Sequence, residues 1–316
     1  LRGGFFMERL KNMLFVHNAG ERSVSVIDTL TLKEVGRILP DACGGRADYF
    51  PGAHSILPDK NRGCLYMTDG RRDAIHAIDL DSFKVVGTIY AGRNPADIAI
   101  GGGGGCLYVA DRDSDSVSVI DMPTGRIISQ IPVGSMPSCI CTSPDGEYAY
   151  TANVNSRDIS AIDTWSNSNV STVALKGCPN SIIPSRDGLH MYVSCSGMCR
   201  RSGGFISVVS ARGLIIQKDI CCGSVPLSMA LSARGDRLYA IDADLNMLFM
   251  IDLKRLEVAA KTGTGGLPSG IALDGNGNIF VSDAADDNIS VIEQETLKLT
   301  RTIEAGPQPV SMCILD

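Results

Sequence analysis

Short runs of alternating or β-branched apolar residues, cut by Gly, Pro, Asn and Asp, fill the chain, and no helical spacing of apolar positions extends over several turns. One stretch shows the unit. Leu107-Tyr-Val-Ala reads as a strand, residues 117–120 as a second and 127–131 as a third. The turn Gly134-Ser-Met-Pro137 leads into a fourth strand at 138–142, and Ser143-Pro-Asp-Gly146 turns the chain again. Part of this unit recurs. Ser23-Val-Ser-Val-Ile27-Asp28 returns as Ala74-Ile-His-Ala-Ile78-Asp79, Ser116-Val-Ser-Val-Ile120-Asp121 and Asp158-Ile-Ser-Ala-Ile162-Asp163. It returns again as Phe205-Ile-Ser-Val-Val209-Ser210, Met247-Leu-Phe-Met-Ile251-Asp252 and Asn288-Ile-Ser-Val-Ile292-Glu293.

Seven copies at a period of about 42 residues, with four strands to each, predict an all-β, seven-bladed β-propeller of four-stranded antiparallel blades. A single such sheet cannot cover both its faces, whereas seven arranged radially bury each face against the next. The chain opens on a second strand, Leu14-Phe-Val16, and ends on a first strand, Val310-Ser-Met-Cys-Ile-Leu315. Pairing the C-terminal strand with the N-terminal three closes the ring and shields two strand edges. The expected organisation is an N-terminal tail at 1–12 and a single propeller domain at 13–316.

Leu107-Tyr-Val-Ala-Asp111, the Val-Ser-Val-Ile-Asp segments and the Gly-x-x-Pro turns resemble those of the YVTN-repeat, YncE-like propellers, over about residues 13–316. The resemblance implies the fold and an extracytoplasmic location: cell surface, periplasm or secreted. A cytoplasmic location is the alternative, since Leu1-Arg-Gly-Gly-Phe-Phe-Met7 shows no secretory leader. It implies no particular activity, because the architecture hosts adhesins, surface-layer modules, enzyme subunits and binders.

A formal charge of −6 with 5% aromatic residues argues against a nucleic-acid partner, which needs a basic footprint and stacking rings. No apolar run is long enough for a membrane span. Most repeated polar residues have structural explanations. Asn18, Asp69, Asp111, Asn153, Asp242 and Asp283 end the second strand in six copies, where an Asx side chain can bond amides ahead and shape the loop. The tract Asp111-Arg-Asp-Ser-Asp115 begins like a calcium loop but has Ser116 at its sixth position and Met122 at its twelfth. Gly101–Gly105 is a turn without a following helix to supply amides to a phosphate. No cofactor and no metal site are expected.

Candidate chemistry sits where one copy departs from the rest. Three residues after the proline of the turn stand Ile98, Ile140, Ile182, Met229, Ile271 and Met312, whereas counting from Pro51 gives His54. One position earlier, Asp97 replaces small residues. This reading places the +3 residues on the central lining and puts His54 and Asp97 on adjacent innermost strands. There they form either a proton-transfer or ligand-holding pair, or a polar contact between blades. The insertion Asp41-Ala-Cys-Gly-Gly-Arg-Ala-Asp-Tyr-Phe50 is expected beside them, with Arg46, Asp48, Tyr49 and the nearby Arg93 as contacts. Copy five has a longer loop, and Cys178, Cys195, Cys199, Cys221 and Cys222 gather there as disulfides, free thiols or a soft-metal site.

These features favour a non-catalytic binding scaffold that engages a protein, polymer or small molecule through its loop-rich face and channel mouth. The alternative is a lyase- or oxidoreductase-like enzyme, or a redox-complex subunit, with its site around His54. Streptogramin-lyase-like and copper-dependent thiocyanate dehydrogenase propellers are precedents by resemblance. Four histidines in all, His17, His54, His76 and His190, do not supply a multi-His cluster.

Overall fold

The computed structural model describes residues 12–39, 55–197 and 203–315. Twenty-eight strands form seven separate four-stranded antiparallel sheets in a ring. Blade 1 is the closing blade. Its innermost strand Pro309–Leu315 pairs with Met13–Asn18, which pairs with Ser23–Asp28 and then Lys33–Ile38. The register runs from Met13 opposite Leu315 to Val16 opposite Met312. Blades 2 to 7 then span residues 56–90, 95–132, 137–174, 178–221, 226–263 and 268–304. Of the expected tail only Asn12 is described, and it belongs to the closure: its amide donates to Leu315 O and its carbonyl accepts from Thr29 N.

The burial pattern explains the sequence pattern. Second and third strands are buried on both faces, so they read as nearly continuous apolar runs such as Leu107-Tyr-Val-Ala and Val117-Ser-Val-Ile. Outermost strands are exposed and read as mixed, as in Glu257–Gly263. The core is a set of clusters between neighbouring blades. In one, Ile98 of blade 3 meets Tyr66 and Ile75 of blade 2.

The turns repeat as faithfully as the strands. The Asp that ends the third strand in five blades accepts amides of the following turn, as Asp28 does from Leu30 at 2.8 Å and Asp252 from Lys254 at 2.8 Å. Adjacent blades are also stitched. Asp73 accepts the amide of Asn94 at 2.8 Å, Asp115 that of Met136 at 2.7 Å and Asp287 that of Gln308 at 2.8 Å. Each stitch runs from a second-to-third turn to the loop entering the next blade, so both loop types share one face. First-to-second and third-to-fourth turns share the other.

Candidate functional site

The innermost strands bring Asp97 beside the ring axis. Among the described residues six of the seven carry a bulge near their start, between Pro95 and Asp97 in blade 3 and between Pro137 and Cys139 in blade 4. A bulge re-aims the residue that follows it. The equivalent residues around the ring are Ser55, Asp97, Cys139, Ser181, Ser228, Gly270 and Ser311, so one carboxylate stands among small side chains.

That ring corrects the sequence alignment of blade 2. Ile56 lies opposite Met67 as Ile98 lies opposite Val109, so Ile56, not His54, holds the Ile98 position, and Ser55 matches Asp97. Pro51 is two residues out of step with the prolines of the other copies. His54 itself lies outside the described residues, as do Arg46, Asp48 and Tyr49. A second correction concerns the lining. Ile98, Ile140, Ile182, Met229 and Ile271 are buried in the clusters between blades rather than facing the channel.

Asp97 is fully engaged. Its Oδ1 accepts the Ile98 amide and its Oδ2 the Ile140 amide, both at 2.9 Å. The Ser55 hydroxyl and the Cys139 thiol also favour its charged form. Burial pushes its pKa up, and these donors oppose the shift. Asp97 as a residue is half-buried on the innermost strand. Burial likewise pushes the thiols of Cys139, Cys141 and Cys313 up, so these innermost cysteines are held as thiols.

Around this mouth the turns of blades 2 and 3 bring four arginines together among Asp69, Asp73, Asp111, Asp113 and Asp115. Arg93, exposed on the loop entering blade 3, has its amide bonded to Ser114 Oγ at 2.9 Å and its carbonyl to Asp113 N at 3.2 Å. Its neighbour Asn94 touches both flanking turns, donating its amide to Asp73 at 2.8 Å and its side-chain nitrogen to Asp113 at 3.2 Å. The loop therefore gathers exposed Arg71 and Arg72 of blade 2 and half-buried Arg112 of blade 3 beside Arg93. Burial lowers the pKa of Arg112, with Asp113 opposing. Of the Asp residues here, Asp73 accepts a backbone amide, Asp113 accepts from the Asn94 side chain, and Asp69 pairs with His76 at 3.2 Å and Arg72 at 3.8 Å. No ion pair among the described residues engages Arg93. On blades 6 and 7 the same face carries Asp244, Asp286 and Asp287 instead. Sequence reading singled out Arg93 but missed Arg71, Arg72 and Arg112, because only the ring topology puts these turns side by side.

The Asx residues serve the neighbouring loop as much as their own. Asp111 accepts Gly92 N at 3.0 Å from the loop entering its blade and Ser118 Oγ at 2.6 Å. Asp242 accepts both Ser224 N and Val225 N from the entering loop and Asp244 N and Leu245 N ahead. In blade 5 the position is Cys195. Cys178, Cys195, Cys221 and Cys222 all carry free thiols, and Cys199 lies outside the described residues. Burial pushes Cys195 and Cys222 up to about 12, whereas Cys221 is exposed. Among the described residues no three His, Cys, Asp or Glu side chains group as metal ligands, and no helix is long and apolar enough to cross a membrane.

No family model and no curated protein matches the chain. Solved structures do. Hydrazine synthase of Kuenenia stuttgartiensis superposes with a TM-score of 0.70 at 20% identity, covering 79% of this chain and 85% of that one. The dihydro-heme d1 dehydrogenase NirN, in complex with DHE, gives 0.68 at 16% identity over 96% and 75%. The β-propeller domain of Myceliophteria thermophila Cps50 (Swd1) gives 0.67 at 14% over 81% and 87%. Two of these names denote enzymes or enzyme complexes and the third a propeller domain, so the likeness fixes the fold and leaves activity open.

Proposed function

We propose that this propeller is a non-catalytic binding scaffold of the YVTN-repeat type, and that its loop face beside the channel mouth takes an anionic segment of a protein or polymer. One observation carries the reading: the Arg93 guanidinium stands exposed with no ion pair among the described residues, gathered with Arg71, Arg72 and Arg112 on an otherwise acidic chain. Loops on a rigid frame are where recognition residues concentrate, and an exposed guanidinium binds a carboxylate through charge-assisted hydrogen bonds. Asp97 favours binding over catalysis, because both its oxygens are committed to amides of blades 3 and 4. In the same reading, residues 41–50 and His54 border the patch, with Arg46, Asp48 and Tyr49 as further contacts.

The test is fluorescence anisotropy with a labelled octaglutamate peptide. Binding that weakens as salt rises and falls at least about fivefold in Arg93→Glu supports the reading. No binding, or equal binding by Arg93→Glu, overturns it.

A further inference from the structure

The opposite face, formed by first-to-second turns, carries a cleft of about 440 Å³ at the inner rim of blades 4 to 6. Its volume lies within the range of small-molecule sites and is too small for a folded partner. Pro144, Ile183, Pro184, Met229 and Leu231 make its walls. The two prolines bring no amide donors, so those walls are apolar in backbone as well as side chain.

The polar groups at the rim differ in availability. Ser185 Oγ is used within its turn, donating to Asp187 Oδ1 and accepting the His190 amide at 2.9 Å. The Asp187 carboxylate accepts that hydroxyl and the Leu189 amide at 3.0 Å, and it does not line the cleft. Arg186 does line it, is exposed, and has no hydrogen bond or ion pair among the described residues. Its stem is laid toward blade 6: a Cβ on Gly235 would come within 3.1 Å of Arg186 Cγ. Among the residues that line the cleft no carboxylate stands to neutralise the guanidinium. Pro144, Ala233 and Gly275 stand at the equivalent turn position in blades 4, 6 and 7, so this cation belongs to blade 5 alone among them.

An apolar pocket with one unpaired guanidinium at its edge matches a small amphiphile with an apolar body and a single anionic head. We infer that this cleft is a second binding site, distinct from the arginine patch, for a small carboxylate-headed amphiphile.

Isothermal titration with decanoate tests it, with decylamine as the charge-reversed control. Two variants separate the two halves of the site. Arg186→Gln removes the cation. Ala230→Ile narrows the cleft with a residue the fold already accepts, since Ile183 occupies the same position opposite Tyr192 that Ala230 occupies opposite Tyr239. Unchanged thermal midpoints establish that both variants fold. The expected result is saturable decanoate binding at one site, weakened about tenfold or more by each variant, partly restored in Arg186→Lys, and absent with decylamine. Failure of decanoate to bind, equal binding by the variants, or equal affinity for decylamine overturns the inference. Because Arg93 lies on the other face, the octaglutamate result stands or falls separately.

Discussion

Asp97 Oδ2 accepts the amide of Ile140 at 2.9 Å, joining the innermost strands of blades 3 and 4 through a carboxylate that no other described blade carries at that position. Removing it leaves the Ile140 and Ile98 amides without their acceptor between the innermost strands. Asp97→Ala is therefore expected to lose about 3 kcal/mol of stability in urea unfolding. Asp97→Asn, which keeps one acceptor oxygen, should lose about half of that. A loss below about 0.5 kcal/mol in Asp97→Ala contradicts the bridging role.

Asp111 and Asp283 answer to the same chemistry with the opposite consequence. Burial holds both up at about 6 against an ordinary value of 3.8, despite hydrogen bonds from Ser118 and Ser290. The folded state then binds more protons than the unfolded chain between those values. The stability these groups contribute is complete below about pH 4 and is lost as pH rises through about 6. Blades 1 and 4 carry Asn18 and Asn153 here, donating to Ser25 at 2.9 Å and Ser160 at 3.0 Å. Asp111→Asn should thus keep the geometry, gain on the order of 1–2 kcal/mol at pH 7 and gain nothing at pH 4. Equal effects at both pH values would count against burial as the cause.

Asp69 runs the other way. Burial works to raise its pKa, but the hydrogen bond and charge of His76, with the Arg71 and Arg72 amides, hold it at about 2. Its contribution is present above about pH 4 and is lost as pH falls through about 2. Acid unfolding followed by circular dichroism should be shallower between those values in Asp69→Asn than in the parent protein.

The blade 5 thiols differ by exposure. Cys221 should react with iodoacetamide in the folded protein, while Cys195 and Cys222, buried and held as thiols by a pKa near 12, should react only after denaturation. Peptide mass spectrometry reads this directly, and early labelling of Cys195 would contradict the packing of blade 5.

The ring was legible in the sequence because its physics is repetitive. Val24, Val117 and Ile159 recur at the same place in their copies because each blade buries the same two faces. The strand closing the ring was legible too, since Val310–Leu315 had no second strand after it. Register in blade 2 was not, because Pro51 lies in the segment where the period breaks, and a proline two residues away looks like the right anchor. The arginine patch and the Arg186 cleft were invisible for a different reason. Arg72 and Arg93 come to one face, and Pro144 and Leu231 to one cleft, only through the ring, being separated in sequence. Internal comparison singled out Asp97 but could not show that its oxygens are committed to Ile98 and Ile140.

Hydrogen–deuterium exchange of the protein with and without octaglutamate tests the closed ring and its working face together. Residues 13–18 and 309–315 should be as protected as the interior strand Cys64–Asp69 in both states. Ligand should add protection at 70–73, 91–94 and 112–115. Exchange of 309–315 at loop rates, or ligand protection confined to the turns at 143–147 and 185–189, would contradict the account.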